Sequence, residues 1–244
     1  MASYIIMLGF DNIVSMITPN LTPLFIWFLG SFAFFPELNE QMLPYYQHFF
    51  INGALSKEGI LQKYGFDSLS ILAKNSIEMR NFLIRHQSLP AILSNPPVNA
   101  DCLNKMFLFI SVLLDSPEST LLGNPTVSSL LKMAFSPERI DNLLEALEIL
   151  LKFLNLGMIN FLVENSFDEA LFILYKSNIP FQVRKKIMSL ICKVSTLCST
   201  ELKIKYILNG LPAVLTDAIE EEDEIVQNDV TDCIDALSKK CTNM

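Results

Sequence analysis

The sequence has no CxxC pair. Its five cysteines, Cys102, Cys192, Cys198, Cys233 and Cys241, are odd in number and scattered. That argues against a metal or disulfide framework and fits reduced, buried thiols in a cytosolic protein. Only two histidines occur, His48 and His86, about forty residues apart. With no HExxH, GxSxG, Walker or GxGxxG pattern, metal hydrolysis, acyl transfer and nucleotide binding have no motif to rest on. No catalytic residue, cofactor site or metal site emerges. Glycine (8) and proline (12) are not enriched over 244 residues, so the chain is not of low complexity. Positive charge is also scarce. The net charge is −8, which removes the basic field a nucleic-acid binder needs. No Lys or Arg precedes Lys57, so a signal-peptide n-region and a positive-inside flank are both missing.

What is present is apolar: 51% of residues. The Leu, Ile and Phe content favours helix over sheet. The 25 positions from Asn12 to Pro36 carry no charge. A membrane-spanning helix needs ~20 apolar residues in a row. Here Pro19, Asn20, Thr22, Pro23 and Pro36 interrupt or bound the run, so it reads as a buried helix. The alternative is a membrane-associated protein anchored by residues 1–35. Phe32, Phe34, Phe35, Phe49 and Phe50 read as core.

Helical patterning recurs along the chain. Met1–Met16 and Leu21–Phe35 form a first, partial unit over 1–35. The second, 36–75, holds helices over Glu37–Met42, Leu43–Leu55 and Ser56–Lys74. Ser56 serves as N-cap, and Gly65 bends or splits the last helix. Units follow at 76–115, 116–155, 156–199 and 200–244. Second helices begin near Leu89, Val127, Phe167 and Leu211, and third helices near Asn99, Ser136, Pro180 and Glu224. Ser136-Pro137-Glu138-Arg139 gives a start signal with Ser as N-cap and Pro at N1. Glu148 and Lys152 form an i,i+4 pair. Three helices per ~40–45 residues is a solenoid period. No single unit can bury its apolar face alone; stacking does so.

The stretch GLPAVLTDAIEEEDEIVQNDVTDCIDAL (Gly210–Leu237) resembles an armadillo repeat. It has the Gly closing a short first helix, the Leu-Pro start of the second, an acidic turn at Glu220–Glu224, and Val226-Gln227 opening the third. LIRHQSLPAIL (Leu83–Leu93) is similar, with Gln87-Ser88 in place of the Gly, and residues 156–194 match in layout. Such degenerate motifs shade into HEAT repeats. The resemblance implies an all-α, right-handed α-solenoid of about six three-helix armadillo-like repeats, one domain over 1–244.

It also implies a non-enzymatic interaction scaffold in the cytoplasm, the nucleus being the alternative location. Its concave groove, lined by third helices, would bind an extended peptide or helix of a protein partner. Importin-alpha-like members carry Trp and Asn ladders there. The alignment puts Trp27, Ser189 and Asp232 at the Trp position, and Ser31, Lys193 and Ala236 at the Asn position. One Trp and no Asn match, which argues against an importin-alpha-like transport adaptor. Arg184, Lys185, Lys186 and Lys193 form the one basic cluster, with Lys203 and Lys205 close in sequence; Arg184 and Lys193 could meet an acidic partner. The last unit reads as a polar C-terminal cap. The first lacks polar capping, so a partner, a second copy or further chain is expected to cover it.

Overall fold

The computed structural model describes residues 9–136, 138–219 and 224–241, and among these it is helical without a strand. The acidic turn at 220–223 and the start of the first helix, 1–8, lie outside the described residues. The chain forms two compact units, Met1–Leu121 and Leu122–Met244.

In the first unit, α1 (Phe10–Ser15) and α2 (Thr22–Phe32) precede a long helical rod. The rod comprises α3 (Asn39–Tyr46), a π-turn segment (Gln47–Ile51) and α4 (Asn52–Leu55). It replaces the two separate helices expected over 37–55. Pro44 sits inside α3 without breaking it. Proline removes one backbone donor, and the wider π turn directly follows it. The unit continues with α5 (Gly59–Asn75), α6 (Ile77–Arg85), α7 (Leu89–Ser94) and α8 (Ala100–Leu113).

α5 runs unsplit through Gly65. A Cβ there would lie 2.3 Å from the Ala54 nitrogen and 2.6 Å from the Gly53 carbonyl carbon. The glycine lets α4 and α5 touch backbone to backbone. Ser56 does not cap α5 directly either: its Oγ accepts from the Glu58 amide, and α5 begins one residue later.

An aromatic cluster seals the first repeat. Phe10 meets Phe25 and Tyr45 at ring-centroid distances of 5.9 and 4.7 Å, and Phe25 meets Phe49 at 4.9 Å. Each fully buried aromatic contributes about 1.5–3 kcal/mol. Phe32, Phe49 and Phe50 are core as expected, but Phe34 and Phe35 are exposed. They follow the last residue of α2 and so fall off its buried stripe.

The second unit holds α9 (Pro125–Ala134), α10 (Ile140–Asn155), α11 (Ile159–Glu164), α12 (Phe167–Tyr175), α13 (Phe181–Leu197), α14 (Thr200–Leu208), α15 (Leu211–Ile219) and α16 (Glu224–Cys241). α10 starts at Ile140, not at Ser136. Ser136 instead folds a turn, its Oγ accepting from the Glu138 amide at 3.4 Å and its carbonyl from the Arg139 amide at 3.1 Å. True side-chain caps are Ser76 on the Met79 amide, Asn99 on Cys102, Asn124 on Thr126 and Val127, and Ser199 on Leu202. Each satisfies a donor the helix start leaves open. Gly210, at φ 94°, ends α14 in the left-handed region that favours glycine.

Third helices begin at Gly59, Ala100, Ile140, Phe181 and Glu224, in steps of 41, 40, 41 and 43. Within the first unit α2 packs on α5 and α5 on α8. Within the second, α10 packs on α13 and α13 on α16. Ties between consecutive repeats recur at one spacing: Lys57–Asn95, Lys63–Asp101, Tyr206–Asp168 and Lys193–Asn155 are each 38 positions apart.

Candidate functional site

Within each unit the third helices repeat an open face. Applying the observed steps, and 40 back to α2, the Trp position reads Trp27, Asp67, Leu108, Glu148, Ser189, Asp232. The Asn position reads Ser31, Ile71, Val112, Lys152, Lys193, Ala236. In the α5, α8, α10 and α13 copies every one of these side chains is half-buried. A face that is neither core nor fully solvated fits side chains packed along their stems with open tips.

Trp27 is 64% exposed on α2, and Ser31, one turn on, is also exposed. Asp232 is exposed on α16. Ala236 lies in the same helix, and its side chain is outside the described set. On α13, Ser189 and Lys193 are half-buried, and the Lys193 ammonium donates to Asn155 Oδ1 on α10. Arg184 is half-buried near the start of α13. So Arg184, Ser189 and Lys193 share one helix, Asp232 and Ala236 the next, and Trp27 stands in the other unit.

The expected basic cluster is partly spoken for. The Lys186 ammonium lies 2.8 Å from Glu148, across the gap between third helices. Glu148 thus has a partner on α13 in addition to any within its own helix. Lys205 pairs with Glu169 at 2.7 Å, and Lys203 is buried.

In the first unit Lys105 pairs with Asp67 at 2.7 Å. Lys105 and Lys186 are repeat-equivalent, as are Asp67 and Glu148. The same backward reach therefore occurs in both units. Lys63 adds a second pair with Asp101 at 3.1 Å, and that carboxylate pushes the Lys63 pKa up. These inter-helix pairs were not visible from periodicity alone. Their signal was the 38-residue spacing of opposite charges.

Glu145, at the backward-reaching position of α10, is half-buried. Burial raises its pKa, with the nearby Glu148 adding to the effect and Lys186 and Lys152 opposing it. No such balance occurs at a solvated helix face.

The histidines have structural places. His86 Nδ1 accepts from the Ser88 amide at 3.2 Å, and His48 stacks edge-on against Phe49. Cys102, Cys192, Cys198 and Cys233 are buried free thiols. The neighbouring Cys233 thiol, together with burial, pushes the Cys192 ionisation up, so it does not act as a reactive thiolate. Among the described residues no group of three His, Cys, Asp or Glu side chains could hold a metal ion, and no helix is long and apolar enough to cross a membrane. α2, at the centre of the suggested anchor, is 11 residues long.

No family model matches the sequence, and no curated protein matches it. Solved structures do. A designed armadillo repeat protein in complex with peptide (KR)4 superimposes with a TM-score of 0.71 at 14% identity, covering 87% of this chain and 91% of that one. A second designed armadillo repeat protein gives 0.63 at 15% identity over 87% and 91%. An engineered protein gives 0.58 at 11% identity over 91% and 94%. The identities are too low to carry function, but the fold they show is that of an armadillo-like helical repeat array.

Proposed function

We propose that the chain is a non-enzymatic interaction scaffold whose third-helix face binds an extended segment of a protein partner. One observation carries the reading: the half-buried ladder of equivalent positions on successive third helices. A rigid array with regularly spaced, partly open side chains suits a chain segment better than a small molecule. The designed neighbour that holds a peptide is a further support.

The ladder differs from a purely basic-peptide reader. Its rungs carry both signs in the second unit, Glu148 and Lys152 on α10, Lys193 on α13 and Asp232 on α16. In the first unit Trp27 offers an open aromatic face. A segment that fits the second unit's face therefore carries mixed charge, and one that fits the first unit's face carries an apolar side chain. The reading goes with one repeat domain over 1–244 and a cytoplasmic location.

The test is a selection from a displayed library of random extended peptides, followed by affinities for single variants. Lys193→Glu and Asp232→Lys should each weaken peptides that bind the second unit, and Trp27→Ala those that bind the first. Ile173→Ala, on the exposed side of α12, should not. If the selected peptides bind all four variants as well as the unaltered chain, the third-helix face is not the binding surface.

A further inference from the structure

The first unit holds a cavity of about 460 Å³ between α1, α2, the π-turn segment and α5. Close-packed interiors leave few voids larger than a water molecule. Ligand pockets, in contrast, run to several hundred Å³, mostly apolar with a few placed polar groups. This cavity has that make-up. Ile26 and Phe49 form its floor and are buried, and Val14 and Leu61 are half-buried walls. Its mouth is polar, where His48 and Asn52 are exposed. Thr22 and Ile26 reach it from α2, about 140° round that helix from Trp27 and Ser31. The cavity is therefore distinct from the third-helix face.

One stretch of chain supplies most of the site. His48 and Asn52 are four residues apart and share one side of the rod. Ser56, which ends α4, adds a hydroxyl to the same lining. His48 and Phe49 both sit in the π turn, a wide turn that is frequent at functional sites. The Phe49 ring meets the His48 ring edge-on at 4.8 Å and so orients the imidazole. No described side chain bonds the His48 ring nitrogens or the Asn52 amide. Two donors thus point into one mouth above an apolar floor.

We propose that this cavity binds a small monocarboxylate, its carboxylate held by His48 and Asn52 and its apolar body seated on Ile26 and Phe49. Charge selects the head group. Among the described lining residues none is acidic, and the imidazole is the one side chain that can take a charge, a positive one. An ammonium ligand would find no counter-ion there, and a desolvated charge without a partner is costly. A carboxylate accepts from the imidazole N–H and the amide N–H, and hydrogen bonds to a charged acceptor are the stronger kind. Lys57 and Glu58 follow Ser56 in the chain but do not line the cavity, and the Lys57 ammonium donates to Asn95 at 2.6 Å. The apolar body supplies the remaining affinity by leaving water for the Ile26–Phe49 floor.

The experiment is calorimetric titration of the full chain with octanoate, octanol and octyltrimethylammonium, each below its micellar concentration. Octanoate should bind one to one. The other two carry the same tail and should bind about tenfold more weakly or worse. His48→Ala and Asn52→Asp change exposed side chains, and unchanged circular dichroism and melting confirm that each variant is folded. Each should weaken octanoate about tenfold or more, the loss expected for a hydrogen bond to a charged group. Asn52→Asp puts a carboxylate in the mouth and should reverse the preference, octyltrimethylammonium then binding better than octanoate. Absence of saturable octanoate binding overturns the proposal. So does equal binding of all three probes, which would mean apolar partitioning alone, or an Asn52→Asp chain that binds octanoate as well as the unaltered one.

Discussion

Replacing Gly65 with alanine adds one methyl group where α4 and α5 meet backbone to backbone. The new Cβ would stand 2.3 Å from the Ala54 nitrogen, 2.6 Å from the Gly53 carbonyl carbon and 3.0 Å from the Ala54 Cα. All three are backbone atoms, so no side-chain rotation relieves the clash. α4 and α5 must part by about an ångström, against a core that is close-packed. In an isolated helix the change would stabilise by ~1 kcal/mol, because alanine is the better helix former. Overpacking works against this by typically ~1–3 kcal/mol, and the gap opened around Phe66 adds a cavity cost. The net expectation is a loss of roughly 1–2 kcal/mol, which at a urea m-value of about 2 kcal/mol/M moves the midpoint down by about 0.5–1 M. Gly53→Ala is the control. Its Cβ would meet the Ile26 Cδ1 at 3.1 Å and the Gly65 Cα and Leu61 carbonyl oxygen at 3.2 Å, so the neighbours need give far less than at Gly65. Urea melts followed by helical circular dichroism should rank Gly65→Ala well below Gly53→Ala. A Gly65→Ala chain as stable as the unaltered one, or more stable than Gly53→Ala, refutes the backbone contact.

Three further outcomes are expected. Tyr206→Phe should cost about 1–3 kcal/mol in a thermal melt, since the Tyr206 hydroxyl donates to the buried Asp168 carboxylate at 2.7 Å and the change leaves that carboxylate short of a donor; Asp168→Asn, which can still accept, should cost less than Asp168→Ala. Lys186→Glu should destabilise by about 0.5–1 kcal/mol, given the half-exposed pair with Glu148, and Glu148→Lys should restore part of it in the double variant. Glu145→Gln should stabilise at neutral pH: burial raises the Glu145 pKa, so the folded state favours the protonated acid, and its ionisation costs stability as pH rises through that raised value. The gain over the unaltered chain should shrink as pH falls toward the ordinary glutamate value of about 4.3, and a gain that is constant across that range would contradict the assignment.

The periodic part of the fold was legible because stacking forces every third helix to bury the same two faces. Third helices expected near Asn99, Pro180 and Glu224 begin at Ala100, Phe181 and Glu224. The misses have local or tertiary causes. Ser136 makes a turn with Glu138 before the helix can start, a competition that spacing cannot reveal. Gly65 read as a weak point because helix propensity is local, while the backbone of Gly53 and Ala54 that needs the missing Cβ comes from another helix. Phe34 and Phe35 read as core from composition, yet their position past the end of α2 leaves them open. Ladder positions could be aligned from sequence. The pairs Lys105–Asp67 and Lys186–Glu148 could not, since they depend on which residues face each other across two helices.

The central claim is that the third helices form the binding face. Hydrogen–deuterium exchange of the full chain, with and without a selected peptide, tests it most directly. Protection should appear on the third helices of the unit the peptide contacts, α2, α5 and α8 or α10, α13 and α16, with α7, α12 and α15 unchanged. Protection confined to the second helices, with the third helices unaffected, would contradict the account.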